Sequence, residues 1–219
     1  MTRGQTHEIC NQIENACKKH GANPEEVASN LIRENFFFNK TDEYLLGNNK
    51  REPVSRSFTP LAPVTSGGRT GIQLLEDLKE KSLSVGTYAK EILLKEEFDR
   101  TVTNGVTYYP GFIKGEDFSG SNLTTENIIK EALRREGVIP PAELAPLLRL
   151  SLSDEEIKKF GLLWLIPMHE PIKDSIGDPN ILGLYANSQD KQLNACRADA
   201  KFNWYRDRGF VFLFPQTKE

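Results

Sequence analysis

Three short apolar runs near the end of the chain set the pattern: Leu162 to Ile166, Ile181 to Tyr185 and Phe210 to Phe214. Each is bounded by Gly, Pro or polar residues and is too short for a buried helix. Each therefore predicts a strand covered on both faces. Gln192 to Arg197 alternates instead, which predicts a half-exposed edge strand. Residues 161–216 are expected to form a small, mostly antiparallel sheet.

Upstream the period changes to that of a helix. Ile9, Cys10, Ile13, Ala16 and Cys17 recur at helical spacing, and Gly21 offers a left-handed C-cap. Asn23, Pro24 and Glu26 open a second helix with Val27, Ala28, Leu31 and Ile32 as its stripe, so residues 1–46 predict a helical hairpin. Phe36, Phe37 and Phe38 follow and would need burial against the body of the protein. Residues 47–69 hold Pro53, Pro60 and Pro63 with almost no periodicity, which predicts an extended connection.

Helices are then expected around Ile72, Leu75 and Leu78, from Ser84 through Leu93, from Thr124 or Thr125 through Leu133 to Gly137, and from Pro140 and Pro141 through Leu148. Ser153 and Glu156 form a capping box for one more, which Gly161 stops. Between these, Asn104-Gly105 sits among β-prone residues and predicts a two-residue hairpin turn within Val102 to Tyr108. The expected fold class is α+β: a helical N-terminal part, then a main domain over residues 70–219 with helices packed on the small C-terminal sheet.

Composition narrows the function classes. The chain has 219 residues, 38% hydrophobic and 27% charged, which is ordinary for a globular domain able to bury a core without staples. A net charge of −3 and a pI near 5.8 give no overall basic field, so nucleic-acid binding is disfavoured. No apolar stretch reaches the ~18 residues a membrane span needs, and the first residues lack an apolar signal core. With an odd count of three cysteines, these features lead us to expect a soluble cytoplasmic protein with reduced thiols.

Candidate chemistry concentrates at the predicted sheet. His169 and Glu170, then Asp174, Ser175, Gly177, Asp178 and Asn180, lie where the first apolar strand gives way to the second. His169 with Glu170 or Asp174 supplies a base and its orienter, and Cys196 supplies a thiol. Those are the parts of a hydrolase, although Asp, Ser, Gly and Pro also make turns for backbone reasons alone. The spacing of Asp174, Asp178 and Asn180 does not match a calcium loop. His7, Cys10, Cys17 and His20 resemble a zinc set in type only, because Cys10 and Cys17 are about 10 Å apart on a straight helix. The turn from Ser66 to Gly71 lacks the Lys and the spacing of a phosphate-binding loop.

The segment Lys201 to Arg208 interleaves Trp204 and Tyr205 with Arg206 and Arg208, residue types enriched where proteins meet. The expectation is a non-catalytic binding protein with a protein partner, without cofactor or metal. The alternative is a hydrolase-like enzyme using His169, Glu170, Asp174 and Cys196.

Overall fold

The computed structural model describes residues 58–118, 123–186 and 191–214, with only the backbone of Lys191 and Gln192. The expected helical hairpin of residues 1–46, the His7, Cys10, Cys17 and His20 set, and the connection as far as residue 57 lie outside the described residues.

Ten strands and six helices are described. In chain order they are β1 (Thr59–Pro60), β2 (Val64–Gly67), α1 (Gly71–Glu80), β3 (Ser84–Val85), α2 (Thr87–Leu93), α3 (Glu96–Asp99), β4 (Asn104–Tyr108), β5 (Pro110–Lys114), α4 (Thr125–Arg134), α5 (Leu144–Ser151), α6 (Asp154–Lys159), β6 (Trp164–Pro167), β7 (Ile172–Lys173), β8 (Pro179–Ala186), β9 (Lys191–Arg197) and β10 (Arg208–Leu213). Three of the six described helices start at a side chain that caps them. The Thr70 and Ser153 hydroxyls accept backbone N–H bonds in capping boxes with Gln73 and Glu156, and Thr124 caps α4. Gly161 ends the α6 region at a φ of 77°, where a Cβ would be strained.

The sheet corrects the expected fold class. It is not a small C-terminal sheet but an eight-stranded mixed sheet that begins at Thr59 and ends at Leu213, and the helical N-terminal part is not supported, since residues 1–57 lie outside the described residues. Its order is β1-β5-β10-β6-β8-β9-β3, with β7 paired to one end of β8. Two pairings are parallel, β10 with β6 and β3 with β9, and the rest are antiparallel. The run from Phe210 is apolar throughout because it lies between two strands and under two covered faces, with β5 on one side and β6 on the other. The strands the sequence hid are those too short to show a period, such as Thr59–Pro60 and Ser84–Val85.

Asn104-Gly105 is likewise not a hairpin turn. It opens β4, which pairs antiparallel with the distant β2 in the register Val64↔Tyr108 and Thr65↔Thr107. Gly105 does take a positive φ of 71° there, so the residue type served backbone geometry, but at the start of a ribbon.

Side chains alternate across the sheet, so two clusters form back to back. One face carries Phe112, Val211, Leu165, Leu182, Leu184 and Leu193, packed with Leu74 and Leu78 of α1, Ile92 and Leu93 of α2, Leu144 and Leu148 of α5 and Ile157 of α6. The opposite face carries Ile113, Phe210, Phe212, Ile166 and Ile181, and among the described residues the only helix in that cluster is α4, through Ile128 and Ala132. Trp204 and Phe202 complete the second layer. No described helix is long and apolar enough to cross a membrane.

Candidate functional site

The polar stretch after β6 is built as a turn. Asp174 is buried, and its Oδ1 accepts from the backbone N–H groups of Ile176 at 3.0 Å and Asp178 at 2.9 Å. Its Oδ2 accepts from Asn180 Nδ2 at 2.9 Å, while the Asp174 N–H donates to the Asp178 carbonyl at 2.9 Å. Gly177 supplies the positive φ of 89° inside this loop. Both Asp174 carboxylate oxygens thus hold the link between β7 and β8. Asp178 is partly exposed and faces Arg197 at 3.7 Å, and Arg197 also pairs with Asp199.

His169 replaces a missing ladder bond. β6 and β8 pair only at Trp164↔Tyr185 and Leu165↔Leu184. Beyond that point the strands part, and the Leu182 N–H is taken up by His169 Nε2 at 2.8 Å. Nδ1 then donates to the Glu170 carbonyl at 2.7 Å, which fixes the tautomer. Burial lowers the His169 pKa to about 4, opposed only by that bond to Glu170. The Glu170 side chain is exposed, so what Glu170 gives the ring is its backbone oxygen.

Cys196 is partly exposed on β9, opposite Ile181 of β8. Burial pushes its thiol up to about 12 against the weaker pull of Arg208. The structure therefore brings Asp174, Asp178 and Asn180 together, but both His169 nitrogens are spent on backbone groups and the thiol is held neutral. Among the described residues no group of three or more His, Cys, Asp or Glu side chains is placed to hold a metal ion.

Residues 201–208 divide into core and surface. Trp204 is buried, donates from Nε1 to the Thr125 hydroxyl at 2.9 Å and packs edge-on against Phe202 and Phe210. Its neighbour Tyr205 is 67% exposed. Arg206 is exposed and donates to the Phe118 carbonyl at 2.8 Å. Arg208 turns back over the sheet, its side chain 15% exposed, with its guanidinium carbon 4.7 Å from the Trp164 ring centroid and 5.3 Å from that of Tyr205.

Register extends this pair into a row. Arg208 of β10 is level with Trp164 of β6, and Trp164 with Tyr185 of β8. The Trp164 and Tyr185 rings stack at 4.5 Å and 26°. Gly183, two residues along from Tyr185 on the same face, leaves room for this packing: a Cβ there would come within 2.7 Å of Ile166 Cδ1, 3.3 Å of Cys196 Sγ and 3.4 Å of Trp164 Cε3. The order Tyr205, Arg208, Trp164, Tyr185 thus runs across three strands on the face that carries Ile166 and Phe210, with the cation near two rings.

Trp164 and Tyr185 are absent from the sequence-derived candidates because both sit in apolar runs read as core. The signal was present but needed the register: same-face neighbours of Arg208 can be named only once β10, β6 and β8 are placed side by side. A second polar group was also missed. Glu143, buried at the start of α5, accepts on Oε1 from the Thr103 N–H at 2.9 Å, the Thr103 hydroxyl at 2.8 Å and the Tyr108 hydroxyl at 2.6 Å. Buried Ser66 joins through Thr103 at 2.8 Å and accepts from the Val106 N–H at 3.0 Å. Burial, then Glu143, holds the Tyr108 hydroxyl protonated well above its usual range. This closed network ties the ribbon of β2 and β4 to α5. Its only sequence signal was one acid beside a leucine-rich helix.

Compared with protein-family models, with curated proteins and with solved structures, the chain matches none of them, so its function rests on this geometry.

Proposed function

We propose that this is a non-catalytic binding protein whose partner is another protein, met at the row Tyr205, Arg208, Trp164 and Tyr185. The observation that carries the reading is the guanidinium of Arg208 lying over the rings of both Trp164 and Tyr205, with Tyr205 itself 67% exposed. Trp, Tyr and Arg dominate binding energy at protein interfaces, and the two aromatics do so with large rigid area and few rotamers to fix. A row already ordered by stacking loses little further entropy on binding. A cytoplasmic location remains part of this reading.

The hydrolase alternative draws no support from the site. A base must offer a ring nitrogen to its nucleophile, and His169 offers both of its nitrogens to the backbone.

The test is a photo-crosslinking side chain at position 205, compared with one at Ile176, which is 73% exposed on the loop between β7 and β8. A specific protein adduct from position 205 alone, lost when Arg208 and Trp164 are both changed to Ala, is the expected result. The same adducts from both positions would sink the proposal.

A further inference from the structure

We propose that Asn104, followed by Gly105, is a site of self-modification, at which the side-chain amide is lost and the ribbon of β2 and β4 is altered as the molecule ages. It is the one Asn-Gly pair in the sequence. The residue after an asparagine supplies the attacking nitrogen, and only glycine brings it forward without a Cβ in the way. Both residues are exposed, and a Cβ built at Gly105 would meet nothing within 4 Å. On the other side lies Gly68, where a Cβ would come within 3.2 Å of Asn104 Cγ and 3.4 Å of its Oδ1, so a second missing side chain gives the amide its room. Asn180 is the contrary case: it is buried, and its Nδ2 donates to Asp174 Oδ2 at 2.9 Å and to the Asp178 carbonyl at 3.0 Å. The Asn104 side chain makes no such bond among the described residues.

The chemistry needs water alone as co-reactant. The Gly105 backbone nitrogen bonds to Asn104 Cγ, the Cγ–Nδ2 bond breaks, and Nδ2 leaves as ammonia with the proton that the Gly105 nitrogen gives up. Water then opens the cyclic imide at either carbonyl. One way leaves aspartate; the other leaves isoaspartate, whose main chain runs through Cβ and Cγ and is longer by an atom. The fold decides what that does. Thr65 pairs with Thr107 and Gly67 with Asn104, so Gly105 and Val106 stand opposite Ser66 alone, a bulge whose first residue takes a positive φ of 71°. Thr103 before this bulge gives its N–H and hydroxyl to Glu143, and Val106 within it gives its N–H to Ser66 Oγ at 3.0 Å. A backbone lengthened between them does not keep both anchors in place, so conversion to isoaspartate releases the Val106 amide.

The experiment incubates the full chain, folded, at mildly alkaline pH beside the same chain unfolded in guanidinium chloride. Mass spectrometry follows every asparagine, with fragmentation that separates aspartate from isoaspartate. Conversion at Asn104 in the folded chain, at least a tenth as fast as in the unfolded chain and faster than at any other asparagine, is expected. Hydrogen exchange on the aged protein should then show the Val106 amide unprotected in the isoaspartate fraction while Phe210 and Val211 of β10 keep their protection. Asn104→Gln, whose longer side chain closes the ring poorly, should prevent both changes. Should that variant not fold, the time course of the unaltered protein decides alone. Conversion in the folded chain slower than that tenth, or no faster at Asn104 than at Asn180, overturns the site. Isoaspartate that leaves the Val106 amide protected overturns its effect on the ribbon.

Discussion

The two faces of the central sheet are built from the same strands and differ in what covers them. On the face of Phe112, Val211, Leu165 and Leu184, helices α1, α2, α5 and α6 bury everything, including the ion pair between Arg149 and Asp154, each 1% exposed. Among the described residues, α4 and those around Trp204 cover one part of the other face, and near Tyr185 stacked aromatics lie around an arginine. The difference teaches where each kind of polar residue can be afforded: a charge under four helices serves the fold, whereas Arg208, 15% exposed, lies beside Tyr205, an exposed ring that a partner can reach. Substitutions on the first face should therefore cost stability without altering binding, and those in the row should do the reverse.

The largest effect is expected at the buried pair. Arg149 Nη1 lies 3.0 Å from Asp154 Oδ1 without hydrogen-bond alignment, and Nη2 donates to the Leu152 carbonyl at 2.5 Å. Burial alone lowers the arginine pKa, and Asp154 opposes it. Asp154→Ala leaves that cation alone in the core and should cost about 3–5 kcal/mol in urea unfolding. Replacing both by Met and Leu should recover most of the loss. If the double variant is as unstable as the single one, the pair is more than a matched burial and the contrast between faces weakens.

His169 gives the next effect, through pH. Its pKa is about 4 in the folded chain against 6.5 in the free side chain, so between those values the unfolded state binds more protons. Its contribution is complete above pH 6.5 and is lost as pH falls toward 4. The difference corresponds to about 3 kcal/mol at most. In His169→Gln, the slope of stability against pH in that window should shrink by about one proton. An unchanged slope would show that the ring is not held neutral at the parting of β6 and β8.

Glu143 comes third. Glu143→Leu removes the acceptor from three donors at once and should destabilise by about 2–3 kcal/mol, with Glu143→Gln intermediate. The Val106 amide, which donates to Ser66, should lose hydrogen-exchange protection before the central strands do.

What was legible in the sequence divides along the same line. Elements announced by local chemistry were readable: the capping box at Ser153, the stop at Gly161, and the apolar centres of β6, β8 and β10. Elements that exist only through pairing were not. Thr59–Pro60 and Ser84–Val85 have no period to detect, and Asn104-Gly105 carried a true backbone preference that a distant strand used differently. Site residues follow suit. Asp174, Asp178 and Asn180 could be seen as a cluster, but whether an acid and an amide make a turn or a site depends on whether their oxygens already have donors. Tyr205 and Arg208 were visible, whereas Trp164 and Tyr185 needed register to stand beside them.

The smallest expected change in stability sits in the row, which makes it the sharpest test of the contrast. Tyr205 is 67% exposed, and its ring makes a cation–π contact with Arg208 at 5.3 Å. Exposed contacts of this kind are worth about 0.5–1 kcal/mol, so Tyr205→Ala should move the urea midpoint little. Trp204→Ala, one residue earlier, should cost about 3–5 kcal/mol because it empties a core position and orphans the Thr125 bond. Adjacent aromatics would then separate cleanly, one needed for folding and one for the partner. If Tyr205→Ala instead unfolded the protein as readily as Trp204→Ala, the row would be a lid on the core and the two faces would differ in thickness only.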